Sequence, residues 1–506
     1  MNTKKLRQKI LDLAIRGKLV PQDPNDEPAS ALLKRIRKER ERLIAEGKIK
    51  PDKKVKTAVA ASDKSHYGEL PFEVPNSWAL AYLGFLGTFE RGKGIKRSDI
   101  RDFGTRCIRY GELYTTYNFI IKSAVSFVSD DLAEQSKTVA SGDLLFTLTG
   151  ENKEEIGKAV AFMGSDRTVI GGDLAKFTNY GVDPIFLSYI LNASDLIHQK
   201  MMLGIGDLIV HISCSKLSSI LLPVPPIEEQ RHIVTAIESA FTVIDEIERY
   251  KTDLHAAVTA AKQKILTLAI SGKLVPQDPS DEPASALLER IKEEREKLIK
   301  EGKIKPSKQP KTPAPTRDSS HYADLPNSWE ITNLSAITTP LSLSDGDWIL
   351  SDYMVPYGDV KLLQLSSIGY MKYIDKNFKY LTTKMFDELR CTEIHPGYLL
   401  INRLLGDKLN VCILPNISGK LITTVDTCWI APNDNFHLKF LMYGIASKSF
   451  QDAVFLHSAG STRKRISKGN LTQIPFPLPP LAEQRRIVAA IEAVFSQLDA
   501  ITNEVQ

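Results

Sequence analysis

Apolar residues between positions 233 and 268 recur with alternating steps of four and three residues. The positions are Ile233, Ile237, Ala240, Ile244, Ile247, Lys251, Leu254, Val258, Ala261, Ile265 and Leu268. Every position except Lys251 is apolar, and an a/d repeat of this length predicts a long coiled-coil helix. Pro225-Pro226 cannot lie inside a helix and Gly272 favours a helix end, so the predicted helix is roughly 60 Å long.

A shorter helix is expected after a reversal of the chain. The reversal is LVPQDPSDEP at residues 274–283, whose prolines interrupt the helix. Asp281 suits the N-cap of the second helix, Pro283 its first turn and Gly302 its end. Its apolar face consists of Leu287, Ile291 and Leu298. Together the two helices form a predicted helical hairpin with unequal arms.

Two segments of this region occur twice in the chain. Residues 8–51 align without a gap with residues 263–306, and both copies contain GKLVPQDPxDEPASALL. Residues 225–247 align with residues 479–501, and both copies open with a Pro-Pro pair followed by Glu-Gln-Arg. The sequence therefore predicts a second copy of the helical frame.

The second copy of the long helix is divided between the two ends of the chain. The start supplies its second half, and the end supplies its first half with Ile487, Ile491 and Leu498 on the seam. In the two registers, Gln506 corresponds to about position 252 and Met1 to position 256. We expect the two ends to meet, which gives a near-circular, pseudo-twofold frame of antiparallel coiled-coil helices. The alternative is two unrelated helix halves at free ends.

Two longer segments, residues 67–222 and 322–477, lie between the helical regions. The runs GDLLFTLTG with GKAVAFM, and GYLLINRLLGDK with LNVCILP, predict one β-hairpin in each segment. Residues 184–202 and 437–455 are helix candidates. Each segment is therefore predicted to be a mixed α/β domain, and the whole chain belongs to the α+β class.

The predicted organisation has five parts separated in places by linkers. Residues 50–65 and 305–320 are polar and partly proline-rich, which is typical of flexible linkers. The parts are a first helical region (residues 1–65), a first mixed α/β domain (66–224), a central helical region (225–320), a second mixed α/β domain (321–478) and a last helical region (479–506).

Composition excludes several classes of protein. No apolar run approaches the ~18 residues of a membrane span, and the N-terminus lacks a signal-peptide core. The five scattered cysteines form no CxxC spacing, which disfavours a disulfide framework or a zinc site. We therefore expect a cytoplasmic chain. The net charge of +5 is a weak indication of a polyanionic partner.

Catalytic motifs are incomplete. Asp183-Pro184-Ile185-Phe186 lacks the second proline of a methyltransferase base-binding loop. The segment from Gly87 to Lys93 resembles a phosphate-binding loop, but a glycine stands where Ser or Thr must hold Mg²⁺. Asp143 with residues 151–153 only loosely imitates a nuclease triad. The chain alone is predicted to be non-catalytic and to bind no metal or cofactor.

The repeated segments resemble the specificity subunits of type I restriction–modification enzymes. The resemblance rests on PPIEEQRHIV and PPLAEQRRIV, on the KLVPQDPxDEPA hairpin and on GSTRKRIS at residues 460–467. It extends over essentially the whole chain. It implies two target-recognition domains, each of which reads one part of a split, asymmetric DNA site, and helices that fix their separation.

The resemblance also implies the partners. These are double-stranded DNA, two modification (adenine methyltransferase) subunits bound to the helical regions, and restriction (endonuclease/translocase) subunits that join through them. S-adenosylmethionine, ATP and Mg²⁺ are expected on those partner subunits. The family supplies no base-reading motif for the interiors of the recognition domains.

DNA contacts therefore have to be predicted from residue types. Lys and Arg neutralise phosphates, whereas Arg, Asn, Gln and Thr hydrogen-bond base edges. Basic and amide residues cluster in glycine-containing loops and hairpin tips of both domains. The candidates are Arg91, Lys93, Lys96, Arg97, Tyr114, Tyr117, Asn118, Thr149, Asn152, Lys153, His211, Lys216, Asn402, Arg403, Lys408, Thr462, Arg463, Lys464, Arg465 and Lys468.

Other interpretations of these residues remain open. A run of charge is more often a solvated surface than a binding site, and the tyrosines suit a core equally well. A competing function is a duplicated adaptor whose two domains bind protein ligands without DNA.

Overall fold

The computed structural model describes residues 2–49, 73–306, 324–460 and 463–504. The chain forms two compact units, Met1–Tyr250 and Lys251–Gln506. The predicted linkers and the boundaries at 65/66 and 320/321 lie outside the described residues, apart from Lys305 and Pro306. Each unit contains helices of the repeated frame together with one mixed α/β domain, so the predicted α+β class is confirmed.

The helices of unit 1 lie at both ends of its chain segment and between its strands. They are α1 (Thr3–Ile15), α2 (Ala29–Ala45), α3 (Leu83–Leu86), α4 (Tyr110–Thr115), α5 (Asp130–Gln135), α6 (Pro184–Ile190), α7 (Ser194–Leu203), α8 (Cys214–Ser218) and α9 (Ile227–Ile270). Helix α9 continues into unit 2, since the division falls after Tyr250.

The strands of unit 1 are mostly short. They are β1 (Ala79–Tyr82), β2 (Gly87–Arg91), β3 (Thr105–Ile108), β4 (Ile120–Ile121), β5 (Ser126–Val128), β6 (Lys137–Val139), β7 (Leu144–Thr147), β8 (Thr149–Gly150), β9 (Ala159–Phe162), β10 (Thr168–Ile170), β11 (Leu174–Asn179), β12 (Val210–His211) and β13 (Leu221–Val224).

Unit 2 has a similar succession of elements. Its helices are α10 (Ala284–Lys300), α11 (Leu334–Ile337), α12 (Thr383–Glu388), α13 (Leu438–Ala446), α14 (Lys448–Leu456), α15 (Lys468–Gln473) and α16 (Leu481–Glu504). Its strands are β14 (Glu330–Asn333), β15 (Leu343–Asp345), β16 (Val360–Leu363), β17 (Lys379–Leu381), β18 (Leu399–Asn402), β19 (Val411–Ile413), β20 (Lys420–Thr423), β21 (Thr427–Ile430) and β22 (Pro475–Leu478).

The two units share the central part of their sheet topology. In unit 1 the order β2-β11-β7-β9 continues to β4, and in unit 2 the corresponding order is β15-β21-β18-β19. A two-stranded antiparallel sheet, β1-β13 or β14-β22, joins the two ends of each domain. The remaining sheets are β5-β3-β10-β6 and β12-β8 in unit 1 and β17-β16-β20 in unit 2.

The predicted hairpins are confirmed, whereas the predicted domain helices are each broken in two. Strand β7 pairs antiparallel with β9, and β18 with β19. The candidates at 184–202 and 437–455 form the pairs α6/α7 and α13/α14. The break occurs where Ala193 and Ser447 take extended backbone angles as N-caps of the second helices.

The helical frame packs on the α/β domain of its own unit. Ile233, Ile237 and Ile244 belong to the core of unit 1, and Ile487 and Ile491 to the core of unit 2. Among the other seam residues Val258 is buried, whereas Ile247, Leu254, Ile265 and Leu498 are half-buried.

Corresponding ion pairs accompany this packing. In unit 1 Arg7 of α1 pairs with Asp245 of α9, and in unit 2 Lys262 of α9 pairs with Asp499 of α16. Arg7 aligns with Lys262 and Asp245 with Asp499 in the two repeat registers. The contact of α9 with α1 is thus repeated by its contact with α16.

The predicted cap of α10 is wrong, and its predicted end is confirmed. Helix α10 begins at Ala284 with Pro283 as N-cap and no side-chain cap. Asp281 instead accepts hydrogen bonds from Arg486 of α16, at 2.6 Å from Nη2 to Oδ2. Gly302 ends the helix with φ +69°, a conformation that glycine adopts without steric cost.

Candidate nucleic-acid interface

The repeated motifs of unit 1 meet in one buried contact. The indole Nε1 of Trp78 donates to Oε2 of Glu229 at 2.9 Å, and Nε2 of Gln22 donates to Oε1 at 3.1 Å. Glu229 is 1% exposed, and burial raises the pKa of its carboxyl above the usual value. The three residues come from PPIEEQ, from NSW and from KLVPQDP, so these motifs together fix the frame to the first domain.

Unit 2 repeats this contact with the second copy of each motif. Trp329 Nε1 donates to Glu483 Oε2 at 3.0 Å, and Gln277 Nε2 donates to Glu483 Oε1 at 2.6 Å. Burial likewise raises the pKa of Glu483. The sequence showed that these motifs recur, but it did not show that they contact one another.

A neighbouring glutamine fixes the start of a domain helix in both units. The amide of Gln230 accepts from Asp183 N and donates to the carbonyl of Pro225. Gln484 makes the same bonds with His437 N and the carbonyl of Pro479. Each α/β domain is therefore held on its own frame helices by two adjacent residues of one motif.

Polar side chains at one edge of the first domain are connected in a row. Arg91, at the end of β2, lies 3.8 Å from the carboxylate of Asp173. Thr149 Oγ1 donates to Asp173 Oδ1 at 3.4 Å and lies 3.1 Å from Nδ1 of His211. Arg91, Thr149 and His211, which sequence reasoning proposed separately, thus lie together, whereas Asp173 was missed.

Basic side chains extend this edge. Lys93, Lys96 and Arg97 are exposed on the loop that follows β2. Gly92 passes close to another backbone segment, since a Cβ there would lie 2.1 Å from the carbonyl oxygen of Gly171. A glycine is therefore required where the loop leaves the sheet.

Further candidates lie around the same hairpins. Lys153 is exposed and 3.6 Å from the carboxylate of Asp207, and Asn152 accepts from the N–H of Glu155. Lys216 is half-buried and donates to the carbonyl of Leu203 at 2.6 Å.

The two tyrosine candidates support the hairpin from inside. Tyr114 donates to Thr147 Oγ1 at 2.7 Å, and burial raises its pKa to about 12. Tyr117 is 7% exposed, and its hydroxyl accepts from the N–H of Val125. Their positions agree with the core interpretation, whereas Asn118 is exposed.

The corresponding edge of the second domain is a network of ion pairs. Arg403 is 4% exposed and its Nε lies 3.2 Å from Asp345, which is also 3.6 Å from Nζ of Lys468. Arg465 pairs with Asp426 at 2.7 Å. Asp345 and Asp426 were missed by sequence reasoning, because isolated aspartates give no signal of a shared network.

The remaining candidates of the second domain differ in accessibility. Arg463 and Lys464 are exposed, and Lys408 lies over the ring of Tyr370, 4.4 Å from its centroid. Asn402 is buried, so neither it nor Arg403 projects into solvent as the prediction required. Thr462 lies outside the described residues.

The carboxylate of Asp143 takes part in structural hydrogen bonds, and no metal-binding cluster forms in the described parts of the chain. The carboxylate of Asp143 is occupied by the N–H of Ala140 and the hydroxyl of Thr178. Within residues 2–49, 73–306, 324–460 and 463–504, no group of three or more His, Cys, Asp and Glu side chains could hold a metal ion. In the same ranges no helix is long and apolar enough to cross a bilayer.

Comparisons with known proteins agree with the resemblance inferred from the repeated motifs. The family model "Type I restriction modification DNA specificity domain" matches residues 410–506. The chain is 28% identical to the EcoEI specificity subunit of Escherichia coli, over 99% of this chain and 91% of the relative. It is 28% identical to the EcoAI specificity subunit of the same organism, over 97% of this chain and 88% of the relative.

A solved structure shares the fold. A chain from a study of complex assembly and conformational transition of the type I R-M system aligns with a TM-score of 0.56 at 17% identity. The alignment covers 86% of this chain and 94% of that chain. The resemblance inferred from the repeated motifs is confirmed, and the individual DNA contacts stay predictions.

Proposed function

Since the chain is similar over nearly its whole length to specificity subunits of type I restriction–modification systems, we propose that it is such a subunit and that it binds an asymmetric, two-part DNA site through its two recognition domains. Specificity subunits are the non-catalytic recognition subunits of these systems. Each domain would enter the major groove at one half-site, and the bases between the half-sites would remain unread.

The observation that carries the proposal is the contrast between repeated and divergent parts of the two units. The contacts Trp78–Glu229 and Trp329–Glu483 are equivalent. The side chains at the edges of the two domains differ, with His211 in one and Arg465 in the other at the same place in the pairing pattern. The two domains are attached to the frame helices in the same way but expose different side chains. This combination suits two domains that bind different DNA sequences.

Affinity would come mainly from phosphate contacts and specificity from base edges. Lys93, Lys96, Arg97, Arg463 and Lys464 are exposed and suit phosphates. Binding should therefore weaken steeply as the salt concentration rises.

The helical frame would also hold the catalytic partners. Two adenine methyltransferase subunits would bind its two equivalent copies, and restriction subunits would join through them. S-adenosylmethionine, ATP and Mg²⁺ would be bound by those partners.

Selection from a pool of randomised duplex DNA tests the proposal. The full-length chain together with its methyltransferase subunits should enrich duplexes with two defined half-sites at one fixed separation. Enrichment of a single contiguous motif would contradict the two-part site. Absence of any salt-sensitive retention on DNA would favour the protein-binding adaptor instead.

A further inference from the structure

One hairpin turn is built in the same way in both domains. Ile205 and His211 exchange backbone hydrogen bonds of 2.9 and 2.8 Å, and Ala459 and Arg465 exchange bonds of 3.0 and 2.8 Å. The following glycines, Gly206 and Gly460, have φ values of +110° and +109°. Residues 205–206 and 209–211 of the first turn therefore correspond to residues 459–460 and 463–465 of the second.

The side chains on these turns are of opposite character. In the first domain Ile205, Leu208 and Ile209 are 64%, 90% and 58% exposed. In the second domain residues 463–465 are Arg, Lys and Arg, and all are exposed. We name residues 205–209 the apolar tip and residues 463–465 the basic tip.

A second pair of equivalent loops has the reverse distribution of charge. Residues 91–104 of the first domain contain five basic and two acidic residues, whereas residues 345–358 of the second contain three aspartates and no basic residue. The loops correspond because Lys93 N donates to Ile170 O and Asp347 N donates to Thr423 O, next to glycines 92 and 346. We name residues 91–104 the basic loop and residues 345–358 the acidic loop.

In each domain the loop and the tip lie beside one connected polar edge. In the first domain, Arg91 of the basic loop and His211 beside the apolar tip both reach Asp173, the latter through Thr149. In the second domain Asp345 of the acidic loop pairs with Lys468, three residues beyond the basic tip. The basic residues thus lie in the loop of the first domain but in the tip of the second domain.

From this exchange, and on the proposed function above, we propose that the two domains contact DNA with opposite elements. The first domain neutralises phosphates with its basic loop and places Leu208 and Ile209 of the apolar tip against base edges. The second domain neutralises phosphates with its basic tip. The first half-site is accordingly read in part by apolar contact, for which thymine methyl groups are the major-groove partners.

Double-stranded DNA is favoured as the occupant of the apolar tip by its surroundings. The tip stands next to exposed Lys153, whose Nζ lies 3.6 Å from Asp207 within the turn. In the same turn of the second domain, Arg463, Lys464 and Arg465 stand at the positions of Ile209, Val210 and His211, and this basic run suits a polyanion. Three exposed apolar side chains on one solvated turn also mark an interaction site rather than a folding requirement.

Three double variants of the full-length chain test the proposal: Leu208→Ser with Ile209→Ser, Lys93→Ala with Lys96→Ala, and Arg463→Ala with Lys464→Ala. Their affinities are measured from low to high salt on the duplex selected above and on versions with one half-site scrambled. The basic-loop variant (Lys93 and Lys96) and the basic-tip variant (Arg463 and Lys464) should each lower the slope of log K against log salt by about 0.9 per lost phosphate contact.

The apolar variant should behave differently. It should bind the intact duplex about tenfold more weakly with an unchanged salt slope, as expected for a lost base contact. On DNA with the first half-site scrambled it should bind as the wild type does. A matched control, Val125→Ser with Val243→Ser, removes two other exposed apolar side chains of unit 1 and should leave both affinities unchanged.

Two results would overturn the proposal. One is an apolar variant that binds the intact duplex like the wild type, and the other is a lysine variant with an unchanged salt slope. A wild-type chain that selects no two-part site would instead refute the proposed function, so the two failures are distinguishable.

Discussion

Glu229 and Glu483 each receive two hydrogen bonds in a buried position. A carboxylate accepts both donors, the indole N–H and the glutamine amide. Burial nevertheless disfavours its charge, and the net effect is a raised pKa in both units. These two glutamates therefore hold a structural contact and also make the stability of the fold depend on pH.

Replacement of both residues, Glu229→Gln with Glu483→Gln, should destabilise the fold by about 1–3 kcal/mol per site in mild acid. The amide group of the new glutamine would face one of the two donors and leave it unpaired. Because the folded pKa is raised, the wild type binds the proton more tightly when folded. Its stability therefore falls as pH rises from about 4.5 through the folded pKa, and the difference from the variant shrinks in the same direction.

Urea unfolding of both chains between pH 4.5 and 7 measures this effect. Glu228→Gln provides the control, since it removes an exposed carboxyl from the same helical turn and leaves the Trp78 contact intact. A cost of the double substitution that grows as pH rises would contradict the assignment.

At the scale of elements, the end of the long helix is defined by a glycine that also contacts the domain. Gly272 has φ +69°, and a Cβ there would lie 2.4 Å from Cγ of Pro326. Gly17 has φ +63° and the same relation to Pro75. The helix end and the beginning of the domain are thus packed directly against each other in both units.

Gly272→Ala should consequently be more destabilising than Gly302→Ala. Both glycines have φ +69°, but nothing lies within 4 Å of a Cβ at Gly302. The Gly302 variant should cost about 1–2 kcal/mol for the left-handed backbone, and the Gly272 variant an additional 1–3 kcal/mol or so for the overlap with proline. Equal urea midpoints for the two variants would show that the contact with Pro326 contributes nothing.

Elements with a strong local pattern were predictable from the sequence. The hairpin β7/β9 follows from two apolar runs bounded by glycines, and the seam of α9 from its a/d repeat. The breaks at Ala193 and Ser447 were missed, although the polar stretches at residues 192–195 and 447–449 contain residue types that are typical of helix caps.

The sequence predicted the positions of the candidate DNA-contacting residues better than it predicted what each side chain contacts. Loops rich in basic residues were identified, and the structure connects Arg91, Thr149 and His211. Arg403 was expected at the surface but is buried beside Asp345, since a single arginine does not reveal the carboxylate it pairs with. The opposite distribution of charge in the loops and tips could not be predicted from the sequence, because these segments can be matched only through the strand pairing of both domains.

At the scale of the whole molecule, α9 is the helix that crosses the division between the units at Tyr250. Two of its ion pairs with the other frame helices, Arg7–Asp245 and Lys262–Asp499, lie on either side of residues 247–253, whereas Glu248, a second partner of Arg7, lies within this segment. A deletion of these seven residues therefore keeps both pairs and preserves the heptad phase.

This deletion should change the separation of the two half-sites while both half-sites keep their sequences. Seven residues of α-helix correspond to about 10 Å, or about three base pairs of duplex. Selection from a randomised duplex pool, carried out with the deletion variant and the wild type, measures the separation directly. Glu248→Ala with Arg249→Ala, at full length, controls for side chains lost in the deletion and should leave the separation unchanged. Altered half-sites at an unchanged separation would show that α9 does not set the distance. A shorter α9 should change only the distance between the two domains, because the deletion leaves the residues of each domain that contact bases unchanged.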